Sequence, residues 1–95
     1  MYELHYMPSA RKYFKKIKDK GFTSAYTKTL NKIAENPYSG ELKTGDLAGV
    51  YCVNVYYGKA NYEIAYSIIE EENKTVVVIM AGTRENFYDA LKRYL

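Results

Sequence analysis

The sequence predicts an α+β fold in the order β-α-α-β-β-β with a short C-terminal helix, an antiparallel meander packed against two helices. Three observations point there. The first third of the chain holds two segments with apolar residues at helical spacing. Residues 50–81 hold three alternating or apolar runs of strand length, and the links between those runs are too short for crossovers, so successive strands run antiparallel.

Tyr2, Leu4 and Tyr6 alternate with Glu3 and His5, which reads as a half-buried strand with His5 in a structural role. Met7-Pro8-Ser9 breaks it and offers Ser9 as a helix cap. Ala10, Tyr13, Phe14 and Ile17 then recur at i, i+3, i+4 and i+7 among Arg11, Lys12, Lys15, Lys16 and Lys18, and Gly21 supplies the stop. The second helix takes Thr23 as cap, turns Tyr26, Leu30, Ile33 and Ala34 inward, and ends at Glu35-Asn36-Pro37 because a residue before proline resists the helical region. The polar, glycine-rich stretch 38–49 reads as a loop. Val50–Tyr57 alternates as a strand, 58–61 turns, and Tyr62–Ile69 returns beside it. Glu70–Lys74 turns into Thr75–Ala81, whose β-branched run marks a buried strand. Gly82 and the polar residues after it end that strand, so Arg84 sits at a sheet end with Tyr88 close behind, in a closing helix over Asn86–Tyr94.

Ninety-five residues allow one domain, 1–95, with a modest core, and 47% hydrophobic with 26% charged residues is ordinary for a globular chain. A lone Cys52 forms no internal disulfide and reads as a small core residue. The N-terminus lacks the pattern of a signal peptide, so the expected compartment is the cytoplasm. No apolar stretch approaches the roughly 20 residues that span a bilayer. One histidine, one cysteine and no spaced acid cluster exclude a zinc site and a Ser/His/Asp or Cys/His set, no glycine-rich phosphate loop is present, and no bound cofactor is expected. The net charge of +3 hides a division: residues 1–45 carry nine Lys/Arg against four acids, or +5, and residues 46–95 carry five against seven, or −2. That division fits either a polyanionic partner or a solvated helix face. Twelve tyrosines suit contact with RNA, although most of them must also build the core.

Asn36-Pro37-Tyr38 after the second helix, Leu42-Lys43 and Leu47-Ala48-Gly49 leading into Tyr51, Tyr62-Glu63-Ile64-Ala65-Tyr66, and Gly82-Thr83-Arg84 at the last strand's end together resemble the RelE/ParE toxin superfamily over essentially the whole chain. The resemblance implies a small bacterial toxin paired with an antitoxin encoded beside it. In the RelE branch such toxins cut mRNA in the ribosomal A site, so ribosome and mRNA are the implied partners. In the ParE branch they poison DNA gyrase without catalysis.

RNA cleavage without a metal needs a deprotonated 2′-hydroxyl, cations on the pentacoordinate phosphate and a proton for the leaving 5′-oxygen. By resemblance Arg84 holds the scissile phosphate, the alternative being a surface salt bridge with Glu85 or Asp89. Tyr88 orients the 2′-hydroxyl or stacks on a base, the alternative being simple packing. Three positions depart from the RelE pattern: Cys52 and Asn54 stand where it has lysines, and Glu63 where it has an arginine. Each lost donor of this kind is worth on the order of 2 to 4 kcal/mol of transition-state stabilisation. Lys43 and Lys59 are candidate substitutes, and Asn54 a candidate substrate contact. Glu41, before Leu42-Lys43, resembles the general base of the YoeB-like branch, and Glu63 is a second carboxylate possibility. Arg11 and Lys15 on the basic first helix are the candidates for contact with ribosomal RNA. Ribosome-dependent mRNA cleavage is the leading expectation. A gyrase inhibitor, or a member that only binds its antitoxin, is the alternative.

Overall fold

Pro8 sets where the first helix begins. In the computed structural model, which describes residues 1–71 and 73–95, strand β1 covers Glu3–Tyr6 and helix α1 covers Pro8–Lys15. A proline fits the first helical position because its missing N–H would have no partner there. Met7 is therefore the residue before the helix, with extended backbone and no side-chain cap, and Ser9 lies inside the first turn instead of capping it. Helix α2 covers Lys20–Glu35, four residues earlier than a Thr23 cap would start it. Asp19 decides this: its Oδ1 accepts from Gly21 N at 2.8 Å and Phe22 N at 3.2 Å, and a carboxylate also complements the helix dipole. Gly21 thus falls in the first turn of α2, where any Cβ would run into the Tyr57 hydroxyl. The helix ends where expected, and the Asn36 side chain accepts from Tyr38 N to cap the short 3₁₀ turn Pro37–Ser39.

Strands β3 (Tyr51–Tyr57), β4 (Ala60–Ile69) and β5 (Thr75–Thr83) form the antiparallel meander. Gly58 and Lys59 both take positive φ, 60° and 66°, as a two-residue hairpin turn of matching twist requires. The turn expected over Glu70–Lys74 includes residue 72, which lies outside the described residues. Among the described residues the sheet has five strands in the order β1-β5-β4-β3-β2 and is mixed, because β1 lies parallel to β5 from Glu3 opposite Thr75 to Tyr6 opposite Val78. Residues 38–49 are not all loop: Glu41–Leu42 form the short strand β2, antiparallel to β3. His5 is exposed instead of half-buried, and its Nε2 lies 2.8 Å from Glu3 Oε1.

Alternation along the strands gives the sheet two apolar faces. Ala10, Tyr26, Leu30 and Ile33 of α1 and α2 bury one, against Val55, Ile64, Tyr66, Val76 and Val78. Helix α3 (Phe87–Tyr94) covers part of the other, setting Phe87 and Leu91 on Cys52, Ala65 and Ile79. Each large side chain so buried contributes about 1.5 to 3 kcal/mol. Among the described residues, no helix is long and apolar enough to cross a membrane.

Candidate active site

Strand register builds the site. Glu41 pairs with Cys52, and Asn54, two residues on and hence on the same face, pairs with Glu63, which in turn lies opposite Gly82. Lys43 follows Glu41 by two, so both side chains leave the same side of the chain, and its position is held by Lys43 N donating to Val50 O at 2.8 Å. Arg84 comes one residue after β5 ends, anchored by its N–H to Asn61 O at 3.0 Å. Asn86, in the left-handed conformation, then redirects the chain into α3, and the first turn of that helix carries Tyr88 back over the sheet.

Glu63 lies at the centre. It is 5% exposed, its Oε1 accepts the Tyr88 hydroxyl at 3.2 Å, and Arg84 Nε stands 3.8 Å from Oε2. With the Asn54 amide oriented to satisfy both its groups, its nitrogen donates to Oε2 at 3.3 Å. Lys43 pairs with Glu41 at 2.5 Å and also stands 4.5 Å above the centre of the Tyr88 ring. Arg84 therefore pairs with Glu63, not with Glu85 or Asp89.

The two carboxylates are in opposite electrostatic settings. The hydrogen bond from Lys43 holds the exposed Glu41 below the usual glutamate range. Burial pushes Glu63 above it, against the lowering pull of Tyr88, Arg84 and Lys43. Burial also raises the Tyr88 phenol and pushes the Cys52 thiol, beneath the cluster, up to about 11. The cluster thus combines a buried proton acceptor, a phenol in contact with it, and two cations, of which Arg84 is 62% exposed. Among the described residues no group of three or more His, Cys, Asp or Glu stands together to hold a metal.

Residues 4–92 match the family model for a ParE-like toxin of type II bacterial toxin-antitoxin systems. The chain belongs to this family. Among solved structures, the toxin's fold is similar to that of a free double-arginine mutant of Escherichia coli RelE, with a TM-score of 0.71 and 25% identity over 99% of this chain and 98% of that one. It is similar as well to the E. coli chain in the intact RelBE toxin-antitoxin complex (TM-score 0.65, 23% identity, 87% and 96% covered) and to one in a RelBE complex of Mycobacterium tuberculosis (0.66, 21%, 87% and 98%), likenesses of fold. A comparison with curated proteins gave no match.

Of the residues singled out in the toxin's sequence, Glu41, Lys43, Asn54, Arg84 and Tyr88 come together. Lys59 is exposed at the tip of the β3–β4 hairpin, four residues before Glu63 and so about 13 Å away along the strand. Arg11 and Lys15 lie on the helical face of the sheet. There they border a groove of about 350 Å³ between α1 and α2, and Arg11 Nη2 donates to Tyr6 O at 3.3 Å. Glu63, read from sequence chiefly as a lost cation, is the residue on which the others converge. Its signal was its place in β4: Tyr62, Ile64 and Tyr66 alternate toward the helices, which sends Glu63 with Ala65 to the α3 face.

Proposed function

We propose that this toxin is a metal-free, ribosome-dependent mRNA endoribonuclease that inhibits translation. The observation that carries the reading is the convergence of Arg84, Lys43 and Tyr88 with two carboxylates at one sheet end. Arg84 and Lys43 hold the scissile phosphate, the guanidinium offering the forked donors that suit it. Tyr88 faces the 2′-hydroxyl, Glu41 keeps Lys43 in place, and Asn54 contacts the substrate at the exposed end of the same row. Lys59 on the hairpin tip extends the cationic surface, and Arg11 and Lys15 contact ribosomal RNA from the helical face. A toxin that acts on ribosomes works in the cytoplasm, and a cognate antitoxin, as RelB is for RelE in the solved complexes, keeps it inactive.

A specific observation favours a second reading. Cys52, Asn54 and Glu63 replace three cations of the RelE pattern, and both remaining cations of the cluster are already paired with acids. A gyrase-binding toxin needs no phosphate site. Induction without antitoxin, followed by mapping of transcript ends and by gyrase supercoiling assays, separates the two. New 5′ ends within coding regions, lost in Arg84→Ala, support cleavage. Intact transcripts with blocked supercoiling support the gyrase reading.

A further inference from the structure

Metal-free cleavage requires a proton acceptor, and two carboxylates stand at the site. Resting on the nuclease reading, we propose that Glu63 is the proton acceptor, working through the Tyr88 phenol, and that Glu41 serves only to hold Lys43.

The geometry separates the two acids. The Glu41 side chain is 72% exposed and tied to Lys43, so it is already engaged by the cation the phosphate needs. Glu63 is buried between strand neighbours of which Ile64 and Ala65 have no exposure at all. A carboxylate in such a place is usually compensated by a close ion pair, yet Arg84 Nε is 3.8 Å away, well beyond the roughly 2.8 Å of a charge-assisted hydrogen bond, and its side chain turns to solvent. Glu63 accepts from the Asn54 amide on Oε2 and, on Oε1, from the Tyr88 hydroxyl, which alone of the two can pass on a proton; the Tyr88 ring is only part-buried and so bridges the buried acid and the open surface. Lys43 above that ring stabilises negative charge as it develops on the phenol.

In the step this arrangement performs, the 2′-hydroxyl gives its proton to the Tyr88 oxygen while the Tyr88 proton passes to Glu63 Oε1. The 2′-oxygen bonds to phosphorus and the bond from phosphorus to the 5′-oxygen breaks. The departing oxygen takes a proton from water and Glu63 returns its own to solvent, leaving a 2′,3′-cyclic phosphate and a 5′-hydroxyl with no net change in protons. Glu63 is a positioning residue in this scheme and Tyr88 a catalytic one. The charged and titratable groups facing Glu63 are Tyr88 from α3, Arg84 after β5, Glu41 and Lys43 from the β2 segment, and Cys52 from β3.

The test is the single-turnover rate of mRNA cleavage on programmed ribosomes as a function of pH, for the wild type, Glu63→Gln, Tyr88→Phe and the double variant, with melting curves for each. The expected results are a loss of at least about 100-fold in Glu63→Gln, a flattened pH profile in both single variants, and a double variant no slower than the slower single one. A Glu63→Gln protein with wild-type rate and profile overturns the inference and leaves the nuclease reading standing, whereas an inert wild type overturns both. If Glu63→Gln does not fold, Tyr88→Phe decides: a flattened profile supports the relay, and an unchanged one overturns it.

Discussion

The Tyr88 hydroxyl donates to Glu63 Oε1 across 3.2 Å, joining the first turn of α3 to the middle of β4. Because β4 is the central strand of the meander, this bond connects the site directly to the core. Changes in the protonation of Glu63 therefore act on stability as well as on chemistry.

Burial holds the Glu63 carboxyl above its ordinary 4.5. Between that value and the raised one, the folded protein binds more protons than the unfolded chain, so this group's contribution to stability falls as pH rises through the window. Glutamine has no such dependence. The stability of Glu63→Gln relative to wild type should climb with pH across that window and level off above it, as read by urea unfolding from acid to neutral pH. The lowered carboxyls of Asp19, Glu41 and Glu70 act in the opposite sense in both proteins and cancel in the difference to first order. A difference independent of pH would contradict the buried setting of Glu63.

Gly40 has ordinary backbone angles, but a Cβ there would meet the Tyr66 hydroxyl. Tyr66 cannot move aside: its ring is fully buried and its hydroxyl donates to Pro37 O at 2.6 Å. Gly40→Ala should cost about 1 to 3 kcal/mol in denaturant unfolding. In a Tyr66→Phe background, where the obstructing oxygen is gone, the cost should shrink, giving a favourable coupling in the double-mutant cycle. Equal costs in both backgrounds would mean that the turn, not the contact, excludes a side chain.

Cys52 is 3% exposed, with its thiol pushed up to about 11 by burial. A thiol reagent at neutral pH should leave the native toxin unmodified and label it only as fast as it unfolds, which mass spectrometry along a urea series can follow. Rapid labelling of the native protein would show that the floor of the site opens locally.

The meander was legible in the sequence because each strand carries its own period, and β3, β4 and β5 lie within two residues of where that period places them. Helix starts were less legible, since Ser9 and Thr23 are acceptable caps that lose to Pro8 and to the charged Asp19 nearby. Alternation in β1 says that one face is buried but not which strand it pairs with or in which direction, so its parallel place beside β5 was hidden. Arg84 and Tyr88 were readable from the abrupt end of β5. The convergence of Glu41 and Lys43 on them was not, because it depends on β2 pairing with β3 and on the register of β3 with β4.

The proposed activity is cleavage of mRNA on the ribosome by Arg84 and its neighbours. The most direct measurement is primer extension on mRNA in a reconstituted translation reaction, with and without ribosomes, for wild type and Arg84→Ala. Cleavage that requires ribosomes and falls by at least about 100-fold in the variant is the predicted result. Intact mRNA with the wild-type toxin, or equal cleavage by the variant, would contradict it.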